Sequence, residues 1–181
     1  EGVLVVGIGR EATKKLGAIV KKEKEYLAEI KLGEVSTTFD SEGPFSSVIP
    51  AKAGIHAVPT INKIKIIIKK FIGKIRQPPP QYSAIKIKGK PAYKYARSGK
   101  FIEIRPRRVE IKKLIVLRYK WPILKIKVVC GAGVYIRSLA NDLGQKLKTG
   151  GYLLSLERIR VGNFKKADSM TVEKFKKFWQ N

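Results

Sequence analysis

Hydrophobic and polar residues alternate over residues 124–128, and the even-numbered positions stay apolar as far as Cys130. This is the period-two pattern of a strand that is buried on one face. A turn containing Gly131 and Gly133 follows, because glycine adopts positive φ angles without steric cost. Beyond the turn, apolar residues recur at the spacing of an amphipathic helix: Ile136, Leu139, Ala140, Leu143 and Leu147. Tyr135 and Arg137 lie at this strand–turn–helix junction, where side chains can project into a cleft.

Two patterns near the start of the chain predict further elements. Residues 24–33 alternate in the same way, and Tyr26 shares a face with three apolar residues. On spacing alone, Tyr26 is best interpreted as a tyrosine of the core. Residues 2–9 form an apolar run that predicts a strand, and a short helical segment is predicted after Lys14, as far as about Lys22.

The rest of the chain gives weaker patterns. Residues 60–71 carry an apolar stripe that predicts a helix capped by Thr60, although their many isoleucines leave a strand open. Residues 101–117 predict two strands, and residues 172–179 predict a helix capped by Ser169 or Thr171. Residues 46–59, which have no clear period and include His56, predict a loop.

Composition narrows the class of protein. The 181 residues, 44% of them hydrophobic, suit a single domain spanning residues 1–181. A net charge of +25 predicts a polyanionic partner or an anionic membrane surface. The single cysteine excludes an internal disulfide and suits the cytoplasm. No apolar run is long enough to cross a membrane, and with one histidine and no Cys or His cluster no metal is expected.

Residues 128–147, VVCGAGVYIRSLANDLGQKL, resemble the bacterial tRNA pseudouridine synthase B (TruB) family. The family pattern is C-S-x-G-T-Y-I-R-x-L-x-x-D-L-G-x-x-L, and only Gly131 and Val134 depart from it where the family has Ser and Thr. Taken alone, Arg137 is best interpreted as a solvated helix arginine. The resemblance implies instead that Arg137 holds the catalytic aspartate through a bidentate, charge-assisted pair.

Three shorter segments extend the resemblance. Ala12-Thr13-Lys14 matches the A-T-K of the family, which implies that Lys14 contacts RNA. The K-x-Y motif ends at Tyr26, which implies that Tyr26 stacks on the flipped uracil and takes part in proton removal. Leu156 begins a match to L-x-R, in which the leucine packs on the target base.

The catalytic aspartate itself is not in these 181 residues. Gly2 matches the last glycine of the family's G-T-L-D-P-x-A-x-G loop, so the resemblance places the aspartate a few residues before Glu1. We therefore expect an N-terminally truncated catalytic domain that is inactive as it stands. Without the aspartate, Arg137 should be left uncompensated by any carboxylate of this chain, and a solvent anion or an RNA phosphate should neutralise it. Asp40, in a Thr-x-Asp-x-x-Gly setting, is better interpreted as a turn former than as a substitute nucleophile.

Residues 73–99 carry the second specific block, similar to G-x-I-x-Q-x-P-P-x-Y-S-A-x-K-x-x-G-x-x-x-Y-x-x-A-R-x-G. The resemblance implies a thumb-like insertion over about residues 77–104 that clamps the T arm of tRNA. Cations interleaved with aromatic rings suit phosphates and unstacked bases, although a merely solvated basic hairpin stays open. The residues expected to contact RNA here are Tyr82, Lys86, Lys88, Lys90, Tyr93 and Arg97.

The strands and helices lack the regularity of βαβ units, which predicts an α+β fold. The resemblance implies a mixed, largely antiparallel sheet with flanking helices and a basic thumb, without the family's small C-terminal PUA-type RNA-binding domain. It also implies isomerisation of the T-loop uridine (position 55) of tRNA to pseudouridine by a cofactor-free monomer that flips the nucleotide out. A non-catalytic tRNA-binding or folding module and a basic ribosomal-type structural protein are the alternatives.

Overall fold

The structure, a computed structural model, describes residues 2–47 and 58–180. The strands over these residues are β1 (Lys24–Leu32), β2 (Glu34–Ser36), β3 (Phe45–Ser47), β4 (Gly73–Gln77), β5 (Lys86–Ile87), β6 (Lys90–Pro91), β7 (Arg107–Lys120), β8 (Ile123–Cys130), β9 (Gly151–Val161) and β10 (Phe164–Lys165). The helices are α1 (Arg10–Val20), α2 (Ile61–Lys69), α3 (Ala92–Arg97), α4 (Ile136–Leu147) and α5 (Val172–Gln180), with a single 3₁₀ turn at Lys166–Asp168.

Six strands form the central sheet, in the order β10-β9-β1-β8-β7-β4. Each pair of neighbouring strands in it runs antiparallel. Two isolated parallel bridges, from Gly2 to Arg158 and from Asp40 to Leu153, add the mixed character. The α+β fold with a largely antiparallel sheet is thus confirmed.

One side of this sheet, which we call the apolar face, carries the core. The alternation predicted for β1 and β8 is confirmed, because Ala28, Ile30 and Leu32 of β1 and every even-numbered residue of β8 are buried, whereas the residues between them are only half-buried. Two helices, α2 and α4, cover the apolar face. The fully buried members of the core include Ala28, Ile30, Leu32, Leu124, Ile126, Val128, Ile64, Leu139 and Leu143.

Local sequence decides how the covering helices sit. Thr60 caps α2 by accepting a hydrogen bond from the Lys63 N–H at 3.3 Å, so residues 61–69 are helical and the strand alternative is wrong. Helix α4 packs closely on the start of β9. A Cβ atom on Gly144 would lie 2.3 Å from the backbone carbon of Gly150, so only glycine permits this approach.

The opposite side of the sheet, which we call the charged face, is a network of ion pairs. Glu25 pairs with Lys127 and with Arg160, whose Nε lies 3.0 Å from the carboxylate. The Lys125 ammonium lies 3.1 Å from Glu29 on the neighbouring strand. Cross-strand pairs of opposite charge of this kind stabilise antiparallel neighbours.

Two of the predicted strands are absent from the described residues. The apolar run at residues 2–9 forms only the Gly2 bridge before leaving the sheet, and Leu4 is 75% exposed. β-Propensity acts through pairing, and this run has no strand partner in the described part of the chain. Residues 101–106 are likewise not a strand, because the side-chain amide of Gln81 bonds both the C=O and the N–H of Ile102 and Pro106 offers no donor.

The predicted terminal helices are present in the structure, whereas the predicted loop overlaps a strand. Helices α1 and α5 are confirmed, although α1 begins at Arg10, earlier than predicted. Thr171 caps α5 by accepting from the Lys174 N–H at 3.3 Å. The loop predicted over residues 46–59 begins too early, since residues 46 and 47 belong to β3, which pairs with β2. Residues 48–57, including His56, lie outside the described residues.

Candidate active site

Tyr26 and Leu156 lie side by side on the apolar face, on the neighbouring strands β1 and β9. They line a cavity of about 410 Å³ together with Leu153, which is a size suited to a small organic ligand. The other lining residues come from the start of α4 and from the turn after β2: Val134, Tyr135, Ile136, Arg137, Asp40 and Glu42. The structure therefore brings the three sequence-predicted catalytic residues, Tyr26, Arg137 and Leu156, into one pocket, although each role stays a prediction.

Arg137 lines this pocket, and its guanidinium is held by two hydrogen bonds. Its Nη1 donates to the Asp40 carboxylate at 2.7 Å, and its Nη2 donates to the Tyr82 carbonyl at 2.6 Å. The expectation that Arg137 stands uncompensated in this chain is therefore wrong, because Asp40 neutralises it. A guanidinium carries five N–H donors, so these two bonds leave donors for a further carboxylate.

Asp40 is itself tightly placed. Its carboxylate accepts from the Thr38 hydroxyl and from the Glu42 N–H at 3.2 Å, as expected of a turn former. The turn is tied to the sheet by the Leu153 N–H, which donates to the Phe39 carbonyl at 3.0 Å. The pairing of Asp40 with Arg137 was missed from the sequence, and no local signal could have shown it because the residues are 97 positions apart.

The environment of Tyr26 controls its hydroxyl. Burial raises the pKa of Tyr26 above its usual value, while the Arg158 guanidinium beside the hydroxyl opposes that rise. At neutral pH the hydroxyl is therefore protonated and can donate a hydrogen bond. Arg158 is fixed in turn by donating from Nε to the Val3 carbonyl at 2.7 Å.

The start of α4 is positioned by a buried amide. Gln77, the last residue of β4, accepts from the Tyr135 N–H at 2.8 Å and donates to the Tyr135 carbonyl at 3.2 Å. Ser138 adds a bond to the Pro78 carbonyl at 3.2 Å. Gln77 is 2% exposed, so these bonds are shielded from water and hold Arg137 at a fixed place. Gln77 was matched in the sequence only as part of a motif.

A second cavity, of about 570 Å³, adjoins the first and shares Arg137, Tyr135 and Glu42 with it. Its remaining lining residues come from the segment between β4 and β7: Tyr82, Ser83, Ala84, Tyr93 and Arg97. The Arg97 guanidinium lies over the Tyr93 ring, 5.4 Å from its centroid. We call this cavity the thumb pocket.

The thumb pocket contains only some of the predicted RNA-binding residues. Gln77 pairs with Arg107 across the sheet, so the chain between them leaves the sheet edge and returns to it. Tyr82, Tyr93 and Arg97 line the thumb pocket. The other predicted residues are exposed and line neither of these cavities; Lys86, Lys88 and Lys90 lie on the β5–β6 hairpin, and Lys14 lies on α1 beside Glu11.

The described residues contain no cluster of three or more His, Cys, Asp or Glu side chains able to hold a metal ion. Over the same ranges, no helix is both long and apolar enough to span a membrane.

Pseudouridine synthases have this arrangement: an antiparallel sheet with a pocket lined by tyrosine, leucine and arginine, next to a basic segment that contains aromatic residues. Residues 1–136 match the model described as "TruB family pseudouridylate synthase (N terminal domain)". Residues 137–181 match "tRNA pseudouridylate synthase B C-terminal domain". The chain belongs to the TruB family of pseudouridine synthases. Both matched segments contribute strands to the same sheet.

Individual relatives agree with this assignment. The chain is 41% identical over 161 residues to tRNA pseudouridine synthase B of Parabacteroides distasonis, covering 89% of this chain and 66% of that protein. It is 41% identical over 175 residues to the protein of that name in Francisella philomiragia, covering 97% and 56%. The chain thus spans about half to two thirds of the length of these relatives.

A solved structure shares the fold. The crystal structure of a Cbf5-Nop10-Gar1 complex superposes with a TM-score of 0.69 at 26% identity. The match covers 99% of this chain and 44% of the other.

Proposed function

We propose that the protein to which this chain belongs isomerises the T-loop uridine of tRNA to pseudouridine. The observation that supports this proposal is the common pocket of Tyr26, Leu156 and Arg137, residues that come from three separate elements. The pocket is flanked by a basic, aromatic cavity suited to nucleic acid. We further propose that the protein acts in the cytoplasm as a monomer.

In this proposal the target nucleotide flips out of the T loop into the pocket, at a cost of a few kcal/mol. The uracil stacks on Tyr26 and packs against Leu156, which offsets that cost. The nucleophilic aspartate, which the family resemblance places before Glu1, is held and kept ionised by Arg137. Its carboxylate forms a covalent bond to the nucleotide, the glycosidic bond to nitrogen breaks, and the base rotates. A ring carbon then bonds to the sugar, the aspartate is released, and the proton of that carbon is removed with the participation of Tyr26.

Arg137 in this scheme serves two carboxylates. Asp40 already binds its Nη1, so Asp40 keeps the guanidinium oriented while other donors engage the nucleophile. The bond from Nη2 to the Tyr82 carbonyl ties the same guanidinium to the first residues of the thumb segment. RNA contacts at Tyr82, Tyr93 and Arg97 are thereby adjacent to the reacting centre.

The RNA surface extends beyond the pockets. Lys86, Lys88 and Lys90 on the β5–β6 hairpin, and Lys14 on α1, are proposed to contact phosphates of the T arm. Each phosphate contact that they make contributes a slope of about −0.9 to log affinity against log salt on a duplex. No cofactor or metal takes part in the proposed reaction.

The test compares three proteins on a T-arm stem-loop RNA, with pseudouridine as the readout. They are the 181-residue chain, a version extended N-terminally through the aspartate loop, and that extended version with the aspartate replaced by asparagine. We expect product from the extended protein only, and salt-dependent RNA binding from all three.

Three results would overturn parts of the proposal. Binding without product by the extended protein would favour a non-catalytic RNA-binding or folding module. Product from the 181-residue chain would place the nucleophile within it, with Asp40 as the first candidate. Equal affinity for the T arm and for a generic duplex of the same length would contradict T-arm recognition.

A further inference from the structure

A third cavity, of about 320 Å³, lies at the turn between β7 and β8. Its lining residues are Glu29, Arg118, Lys120, Trp121, Ile123 and Lys125. Glu29 and Lys125 belong to the charged face. The cavity, which we call the hairpin pocket, is therefore on the side of the sheet opposite to Tyr26 and Leu156.

Trp121 supplies a fixed aromatic surface in this pocket. The indole packs against the backbone at Gly33, where a Cβ atom would lie 3.3 Å from the ring carbon Cζ2. The turn is also tied to β1, since the Leu32 N–H donates to the Pro122 carbonyl at 2.9 Å. Trp121 nevertheless stays 39% exposed, so part of its ring is available to a ligand.

The cations of the hairpin pocket are not all neutralised. Lys125 pairs with Glu29 at 3.1 Å. Arg118 and Lys120, in contrast, form no ion pair within residues 2–47 and 58–180. Arg118 also stands directly opposite Lys125 in the β7–β8 ladder, and like charges opposite one another destabilise a strand pair. A bound anion would relieve that repulsion.

We propose that the hairpin pocket is a second RNA-contact site, which binds an unpaired nucleotide. The base stacks on Trp121, and the flanking phosphates contact Arg118 and Lys120. An aromatic plane beside two cations without an ion-pair partner suits a nucleotide better than a carboxylate ligand, because a base has an aromatic ring that stacks on the indole and a carboxylate has none. This inference rests on the RNA-binding part of the proposed function, but it uses none of the residues of the active site.

Tryptophan fluorescence tests the site directly, because the chain has two tryptophans and Trp179 can be replaced. In the 181-residue chain carrying Trp179→Phe, we expect a twelve-residue oligouridylate to quench Trp121 with a saturable curve. Trp121→Leu leaves no tryptophan to quench, so its binding is followed by the anisotropy of a fluorescein-labelled oligouridylate. Binding should weaken about five-fold or more, as expected for the loss of one base–aromatic stack. Circular dichroism checks that each variant is folded.

The double variant R118Q/K120Q tests the charges without touching the turn. It should lower the slope of log affinity against log salt by about 1.4, the value for two phosphate contacts on a single strand. The matched control is K113Q/K70Q, which removes two exposed cations outside the pocket. The control should leave the Trp121 quench at its original midpoint, whereas R118Q/K120Q should shift it.

Three outcomes would overturn the inference: no quench by oligouridylate, equal effects of the two double variants, or equal quench by heparin or polyglutamate, which carry charge without bases. Equal quench by polyglutamate would indicate an acidic polypeptide as the partner instead. The assay needs no turnover, so its failure is distinguishable from failure of the proposed reaction, which pseudouridine formation on the T-arm stem-loop reports separately.

Discussion

The two faces of the central sheet differ in chemistry, although alternate residues of the same strands form them. On β1, Ala28 and Ile30 are buried beneath the helices, whereas Glu25 and Glu29 pair with lysines on the other side. The apolar face contains the core and the pocket of Tyr26. The charged face contains the ion-pair network and the pocket of Trp121.

This difference shows where the excess positive charge is left available. Acidic side chains gather on the charged face, where Glu23, Glu25 and Glu29 each neutralise a cation. Residues 78–106 contain only one acidic residue, Glu103, among many cations. The cations of this segment, which lies beside the candidate site, therefore have few acidic neighbours along the chain to neutralise them.

The largest expected effect is on chemistry at the apolar face. In the extended protein, Tyr26→Phe should keep the stacking ring and RNA affinity but slow pseudouridine formation at least about 100-fold, because the hydroxyl proposed to take part in proton removal is lost. Tyr26→Leu should lose affinity as well. On the charged face, Lys127→Gln is the control and should leave the rate nearly unchanged. Full activity of Tyr26→Phe would contradict a role for the hydroxyl.

The next effect is on stability, where the faces should again differ. Leu139 on α4 is fully buried in the core, so Leu139→Ala should lower the free energy of unfolding by about 2–5 kcal/mol. Lys125→Ala breaks a half-exposed ion pair on the charged face and should cost about 1 kcal/mol or less. Urea unfolding followed by circular dichroism measures both. Equal losses would mean that the charged face contributes as much as the core.

A smaller effect is expected from two glycines in helices. Gly144→Ala forces a methyl group against the backbone at Gly150 and should cost about 1–3 kcal/mol. Gly17 in α1 has nothing within 4 Å of the equivalent position, so Gly17→Ala should be neutral or stabilise by up to about 1 kcal/mol. Thermal unfolding of the two variants separates the effect of close packing from that of helix propensity. Equal costs for Gly17→Ala and Gly144→Ala would refute the close approach of α4 to Gly150.

The smallest effect concerns acid stability of the charged face. Lys127, together with Arg160, holds the pKa of the Glu25 carboxyl below its ordinary value of 4.5 despite some opposition from burial. Because the unfolded state binds this proton more readily, the contribution of Glu25 is present above its unfolded pKa and is lost as the pH falls through its folded pKa. Glu25→Gln should flatten the stability–pH curve below about pH 5, by about 1 kcal/mol or less. An unchanged slope would contradict this.

Local periodicity predicted the strands and helices that pair or pack within the core. β1, β8 and α4 were recognisable because each buries one apolar side, and the spacing of apolar residues along the chain shows which side that is. The run at residues 2–9 has the same apolar character, but a strand also needs a neighbour. No sequence pattern tells whether a sheet edge is available to it.

The site was partly predictable for a related reason. Motifs pointed to Tyr26, Arg137 and Leu156, and the fold brings them into one pocket. The Asp40 contact to Arg137 and the Gln77 clamp on Tyr135 depend on how distant segments meet, so local sequence contains no sign of them. Both contacts fix the geometry of the predicted residues.

The central claim is that the pocket of Tyr26, Leu156 and Arg137 accepts a flipped uridine, and base unstacking measures this without any need for turnover. A T-arm stem-loop with 2-aminopurine next to the target uridine brightens when its neighbour leaves the stack. Titration with the 181-residue chain should increase this fluorescence, and Leu156→Ala should reduce the increase while RNA binding, followed by anisotropy, persists. Saturated binding with no change in 2-aminopurine fluorescence would contradict the account.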